Sequence, residues 1–296
     1  MRISLHIGLE HVGASRLQSV LADKRDQLAA KGILVPRSLG PKNHTRLYMA
    51  VTDPAHVDPL RFNRGYITEN KQRVLREAVA ADLAREIEQA KPDHLILTAS
   101  QLGASLYTAS ELERLKALLT PHSDDIDIIA HVDAPAALLT RHYAQQIFEG
   151  RGRSLEVEME LSGTKTWWAD CLAEAPKIDP QAGQFLENQM PPFWLDYTAL
   201  IAFWDGTFGA GATPAPLRRR GLRGGDGDGG NQGRFRHRRH HRQGRRRHAR
   251  SAALRRVAGK GPAAQRAAPA RAGGPQTHPA ASAVAVLRAG GRRAGR

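Results

Sequence analysis

The chain contains a single cysteine, Cys171, in 296 residues, and only 5% of its residues are aromatic. One cysteine excludes an internal disulfide framework and is typical of proteins from a reducing compartment. The sequence has no uninterrupted apolar run of roughly 18 residues, and no basic stretch followed by a long apolar one at its start. We therefore expect a cytoplasmic protein without a transmembrane helix or a signal peptide.

Acidic residues are scarce towards the C-terminus. Of the 44 Lys and Arg and the 29 Asp and Glu residues, 22 and 2 lie in residues 214–296, which leaves 22 and 27 in residues 1–213. The first part therefore has a formal charge of −5 and the last part +20. This change in composition predicts one domain over residues 1–209 and a different kind of sequence over residues 210–296.

The N-terminal residues predict a strand, a tight loop and a helix. Residues 3–7 alternate as in a strand, Gly8 ends it, and residues 9–14 form the loop. Ser15 and Gln18 have the spacing of a capping box, which predicts that a helix begins there. Backbone N–H groups at such a helix start form an anion site. A plain strand–helix unit without a ligand explains the loop equally well.

The rest of residues 1–209 predicts alternating strands and helices. Thr108 and Glu111 form a second capping box, and Asp133 is expected to cap a helix. Because such alternation favours a parallel sheet, ligands are expected at the carboxyl ends of its strands. This arrangement places residues 10–16, 100–101 and 133–141 on one rim. The further strands are predicted at residues 33–35, 94–98 and 126–130, and the main helices at residues 71–91, 133–150 and 196–208.

The segment from Gly8 to Gln18, GLEHVGASRLQ, resembles the phosphosulfate loop of sulfotransferases, usually Pro-Lys-x-Gly-Thr-Thr before a helix. Residues 32–36, the pair Asn43-His44 and residues 195–204 resemble bacterial sulfotransferase-like proteins in order and spacing. The resemblance spans residues 1–209. It implies an α/β fold of the P-loop type, a three-layer sandwich around a mainly parallel sheet, and 3′-phosphoadenosine 5′-phosphosulfate as the donor.

The resemblance also implies roles for the loop residues. The backbone amides of Gly13, Ala14, Ser15 and Arg16 would hold the 5′-phosphosulfate, together with the Ser15 hydroxyl. The family's loop lysine falls on His11, which would be a weak catalytic residue because a histidine is only partly charged at neutral pH.

Other family positions are changed. The arginine and the serine that bind the donor's 3′-phosphate fall on Asp133 and Arg141. Asp133 would repel a phosphate, whereas the Arg141 guanidinium suits one. The family's carboxylate base falls on Gln101, which cannot take a proton, so slow or undetectable transfer to generic phenols or sugars is expected.

The implied function is sulfuryl transfer to an unknown hydroxyl or amine of a small molecule or glycan. The alternative is a non-catalytic binding protein with the same fold. We predict no metal site.

Two other sets of residues have open interpretations. Arg61 and Arg64 stand beside a glycine and two aromatic residues, and they are either surface charges or an anion site. The aromatic pairs at residues 167–168 and 193–194 indicate a core or a helical lid, with an acceptor-binding wall as the less favoured interpretation.

Residues 210–296 form a low-complexity Arg/Gly/Ala/Pro-rich tail that predicts disorder. Such a tail would bind nucleic acid or other polyanions by counterion release, although Phe235 is its only aromatic residue. An alternative needs only the genetic code, because a shifted reading of a GC-rich gene yields an excess of the same residues. The nucleotide sequence across codons 205–225 distinguishes the two.

Overall fold

The computed structural model describes residues 1–215 and 283–289, which form an α/β protein around one sheet. Six strands lie in the order β2-β3-β1-β4-β6-β5. Their bounds are β1 (Arg2–Gly8), β2 (Ile33–Leu34), β3 (His94–Thr98), β4 (Ile126–Val132), β5 (Ala210–Ala215) and β6 (Ala283–Ala289).

Twelve α-helices surround this sheet in the described part of the chain, and none of them is long and apolar enough to cross a membrane. They are α1 (Ala14–Asp23), α2 (Arg25–Ala29), α3 (Thr45–Val51), α4 (Pro59–Asn63), α5 (Glu69–Ala90), α6 (Gln101–Ser105), α7 (Ala109–Leu119), α8 (Pro135–Phe148), α9 (Glu156–Leu161), α10 (Trp167–Ala173), α11 (Leu186–Gln189) and α12 (Tyr197–Phe208).

Strand β1 is the centre of the parallel part of the sheet. It pairs in parallel with β3 on one side and β4 on the other, and β2 pairs in parallel with β3. Leu5 lies opposite both Leu97 and Ile128, and all three are fully buried. Apolar strands covered on both faces are typical of parallel sheets. The predicted α/β class and mainly parallel sheet are confirmed.

Two segments of the sequence assigned to the tail, residues 210–215 and 283–289, are strands of this sheet. β6 pairs antiparallel with β4 along its whole length and with β5 on its other side. The alternating alanine and valine of residues 283–286 suit an extended chain, and the pairing covers an edge of β4 that would otherwise be open. The predicted disorder and polyanion binding, and the question of the reading frame, otherwise concern residues outside the described ones.

Helix α1 begins differently from the prediction. Its N-cap is Gly13, whose φ of 87° is left-handed, and no side chain caps the helix. Ser15 is exposed inside the first turn, whereas the Gln18 amide is buried and donates to Asn43 Oδ1 at 3.1 Å. The predicted Ser15 capping box is therefore wrong, because Gln18 is drawn into a long-range contact.

Two other predicted caps have different outcomes. The capping box of Thr108 and Glu111 at the start of α7 is confirmed. Asp133 does not cap α8, since Ala134 holds the N-cap position without a side-chain hydrogen bond and Asp133 Oδ1 accepts from the adjacent Ala134 N–H instead.

The connections of the sheet place a crevice at the carboxyl ends of β1 and β3. The chain passes from β1 over β3 to reach β2, and from β3 over β1 in the opposite direction to reach β4. Ligands bind at such reversals in open parallel sheets. The two exit loops touch closely, because a Cβ on Gly8 would lie 2.9 Å from Ser100 Cα and one on Gly103 would lie 2.6 Å from Ile7 O.

Candidate functional site

A cavity of about 430 Å³ lies where β1 and β3 end. Glu10 contributes from the loop after β1, and Gln101 contributes from the start of α6 after β3. The opposite wall is formed by α3, the loop before α4, and α11. Its polar and titratable lining residues include Glu10, Tyr48, His56, Asp58, Gln101, Tyr107, His142, Glu149 and Glu187.

The loop after β1 presents backbone donors at the start of α1. The N–H groups of Gly13, Ala14 and Ser15 have no hydrogen-bond partner among residues 1–215 and 283–289, whereas the Arg16 N–H donates to Gly13 O at 3.1 Å. Free amides at the positive end of a helix dipole attract anions. Three of the four predicted loop amides are therefore available to a ligand, and the Ser15 side chain is exposed beside them.

Arg141 on α8 joins two of the rim segments. Its guanidinium donates to His11 O at 2.9 Å and Ala137 O at 3.0 Å, and it forms an ion pair with Asp133 at 2.7 Å. The predicted convergence of the loop and the end of β4 is thus present. Because Asp133 pairs with Arg141, its charge is compensated at this rim.

His11 lies in the loop with a left-handed φ of 59° and is partly buried. Burial and the Arg141 charge both lower the pKa of His11, which outweighs the opposing influence of Glu149. The imidazole is therefore neutral at pH 7. A neutral imidazole at this position adds no positive charge to the loop.

Gln101 is held by a chain of side-chain amides. Its Oε1 accepts from Asn43 Nδ2 at 2.9 Å, and Asn43 in turn accepts from Gln18. This network orients the Gln101 amide at the cavity edge without adding a group that can take a proton.

The opposite wall of the cavity carries an acid–base cluster that the sequence did not indicate. His56 Nε2 lies 2.6 Å from Glu187 Oε1, and His56 Nδ1 lies 3.3 Å from Glu111 Oε1. Burial alone would lower the pKa of His56, but the two carboxylates outweigh it and raise the pKa to about 10. His56 is therefore an imidazolium between two carboxylates. Glu187 Oε2 has no hydrogen-bond partner in the described part of the chain.

Tyr48 and Asp58 complete this wall. Burial and the nearby Asp58 and Glu187 carboxylates raise the pKa of the Tyr48 phenol well above its ordinary value. Burial, with Glu187, also raises the pKa of Asp58. None of the described residues that line the cavity is a lysine or an arginine. The cavity therefore suits an uncharged or cationic ligand better than an anionic one.

Arg61 is neither a surface charge nor an anion site. Its side chain is fully buried, and its guanidinium donates to four backbone carbonyls between residues 53 and 66. It thereby holds the segment that carries His56 and Asp58. Sequence interpretation missed this role because an arginine in a polar loop usually lies in solvent.

The two aromatic pairs, residues 167–168 and 193–194, have different positions relative to the cavity. Phe193 and Trp194 are buried in the hydrophobic core, as the favoured interpretation predicts, and they also line the cavity. Trp168 packs against Phe193 with ring centroids 4.7 Å apart, and Trp167 Nε1 donates to Pro192 O at 3.0 Å. Trp167 and Trp168 therefore hold the segment that carries Phe193 and Trp194 in place.

Comparison with protein families, with curated proteins and with solved structures found no match. The geometry of the loop and the cavity is therefore the basis for a functional proposal.

Proposed function

We propose that this protein transfers a sulfuryl group from 3′-phosphoadenosine 5′-phosphosulfate to a hydroxyl or amine acceptor bound in the cavity. The observation that carries the proposal is the set of free amides of Gly13, Ala14 and Ser15 next to a cavity with acid–base groups. The central position of β1 and the strand order support the P-loop-like sandwich that the sequence resemblance implies.

The donor would bind along the loop and α8. The loop amides and the Ser15 hydroxyl would hold the 5′-phosphosulfate by charge-assisted hydrogen bonds. Arg141 uses three of its five N–H donors within the protein and is 43% exposed, which leaves two donors for the 3′-phosphate.

The acceptor would lie against Phe193 and Trp194. Its oxygen or nitrogen attacks the sulfur, the bond from sulfur to the phosphate oxygen breaks, and adenosine 3′,5′-bisphosphate leaves. Glu187 Oε2 would take the acceptor's proton, while His56 holds Oε1 and fixes the carboxylate. Most of the rate would come from positioning and from stabilising charge on the transferring group. Because the lining carries several carboxylates and its one charged histidine, His56, is paired with two carboxylates, we propose an uncharged or cationic acceptor.

We expect the full chain to bind adenosine 3′,5′-bisphosphate, and Arg141→Ala to weaken that binding by about 10-fold or more. A hydrogen bond to a charged group is worth roughly 1.5–3 kcal/mol, which sets this scale. Isothermal titration calorimetry measures both affinities. Arg73→Ala is the matched control, because it removes the same charge as Arg141→Ala. Arg73 is exposed on α5 and pairs only with neighbouring side chains.

The control matters because the basic C-terminal sequence attracts any anion. Equal losses in the two variants would mean non-specific binding. No heat at millimolar ligand, with a chain that unfolds cooperatively, would refute the donor site.

We also expect Glu187→Gln to lower kcat by about 100-fold or more, since general-base catalysis typically contributes that much. Its affinity for adenosine 3′,5′-bisphosphate should not change. Glu149→Gln is the matched control, because Glu149 lines the same cavity without touching His56. Donor binding by the unaltered protein, without transfer to any of a panel of amines and alcohols, would favour the non-catalytic binding protein instead.

A further inference from the structure

Glu10, His11 and His142 converge at the end of the cavity next to the loop. Glu10 and His11 are consecutive in the loop after β1, and His142 follows Arg141 on α8. One carboxylate oxygen and one ring nitrogen from each histidine all lie within 4.8 Å of one another. The two imidazole rings are 5.6 Å apart between centroids.

The two histidines carry nitrogens without partners. His142 is only 8% exposed, and its Nδ1 makes no hydrogen bond within residues 1–215 and 283–289. His11 Nε2 is also shielded from solvent and has no partner in the same residues. Buried polar atoms of this kind are rare, and each costs about 1–3 kcal/mol unless a ligand or a water satisfies it. Two of them in one cluster point to a binding site for a ligand.

The surroundings hold this cluster in place. Arg141 donates to His11 O, so the loop is tied to α8 one residue before His142. The His142 ring also packs edge-on against Trp194, with centroids 5.2 Å apart. Both contacts limit the motion of the histidines relative to each other, which favours a preformed site.

We infer that Glu10, His11 and His142 bind a divalent transition-metal ion of the zinc class, with a fourth position open to the cavity. Two imidazoles and one carboxylate form a donor set that suits such ions, and three protein ligands are typical of sites with an open position. Ligand atoms around a tetrahedral zinc lie about 3.3 Å apart, so side-chain movements of about 1.5 Å close the group from its spread of 4.8 Å. Glu149 and Glu187 act on Glu10 electrostatically, and their negative charge favours a cation there.

The test uses the full chain after dialysis against a chelator. Titration with Co²⁺ is expected to give visible absorption typical of tetrahedral coordination, which saturates at one Co²⁺ per chain. Added Zn²⁺ should displace the Co²⁺ and abolish this absorption. Glu10→Gln and His11→Ala should each weaken binding by more than about 100-fold, because even the loss of an outer-shell partner typically costs about 10–100-fold. Glu10 and His11 are partly exposed, so these two variants are expected to fold. His142 is buried, and the test therefore does not use His142→Ala.

Metal binding by a histidine-rich part of the sequence must be distinguished from binding at this site. Residues 237–248 contain four histidines, His237, His240, His241 and His248. The control is therefore His240→Ala combined with His241→Ala, which should leave the tetrahedral spectrum unchanged. Loss of the spectrum in this control but not in Glu10→Gln, or no spectrum in the unaltered protein, would overturn the inference. Neither result depends on sulfuryl transfer, since the metal alone is the probe.

Discussion

Arg61→Met is expected to destabilise the protein by roughly 3–5 kcal/mol, because several carbonyls lose their donor and each unsatisfied buried group costs about 1–3 kcal/mol. The Arg61 guanidinium donates to the carbonyls of Tyr66 at 3.0 Å, Asp53 at 2.6 Å and Pro54 at 3.1 Å, and to the carbonyl of His56. Methionine fills similar space without any donor. The carbonyls would then stay buried without partners, which is the main cost.

Chemical denaturation of the full chain measures this loss as a change in the free energy of unfolding. Arg73→Met is the matched control, because its exposed side chain makes contacts that are worth only a few tenths of a kcal/mol. Arg61→Lys should recover part of the loss, since an ammonium keeps the charge but lacks the planar fork of donors. A loss below about 1 kcal/mol in Arg61→Met would show that water or other groups satisfy the carbonyls.

Lowering the pH from 7 to 5 is expected to destabilise the metal-free protein by about 4 kcal/mol. Burial, with neighbouring His131, lowers the pKa of His6 to about 3. Burial, with Arg25, lowers the pKa of His44 to about 4, and burial, with His11 and Arg151, lowers that of His142 to about 3. Below pH 6.5 the unfolded chain takes up protons at these positions and the folded chain does not.

The sign and size follow from this difference in proton uptake. Stability from the three histidines is present above pH 6.5 and is lost as the pH falls towards 4, at about 2 kcal/mol for each histidine by pH 5. Glu10 stabilises the folded protein as the pH falls. Burial, with Glu149 and Glu187, raises its pKa to about 7, so the folded chain takes up this proton at a higher pH than the unfolded chain does. This gain offsets the loss from about one histidine, so the net loss of stability is about 4 kcal/mol.

Denaturation curves at pH 7, 6 and 5 measure the effect. His44→Asn keeps an acceptor for the Thr98 N–H and removes the titrating ring, so its curve should be flatter by up to about 1.4 kcal/mol per pH unit. His122→Asn is the control, because His122 is less buried and should change the slope less. A slope that is the same in His44→Asn and in the unaltered protein would contradict the assignment.

His56 determines how the stability changes with pH above 6.5. Its pKa is raised to about 10, so the stability from its ion pairs is complete below pH 6.5 and is lost as the pH rises through 10. Together with the buried neutral histidines, this places the maximum of stability near pH 6.5.

Local patterns in the sequence were enough for the main elements of the fold. The apolar alternation of β1 and the buried run of β3 predict strands that the structure contains, and the capping box of Thr108 and Glu111 predicts the start of α7. These features depend on neighbours within a few residues, so a linear pattern carries them. The order of these elements also predicted that the loop after β1, Gln101 and Arg141 lie on one rim, because parallel strands end at one edge.

Only the tertiary structure decided the chemistry of the cavity. His56 meets Glu111 and Glu187, which are 55 and 131 residues away along the chain, and no short motif encodes such a contact. Arg61 is buried and donates to backbone carbonyls, so it is not a surface charge. Burial and neighbouring charges then set the state of each group: burial keeps His11 neutral, whereas two carboxylates keep the buried His56 charged. The same residue type takes either state according to the water and the charges around it, and these are fixed only when distant segments pack together.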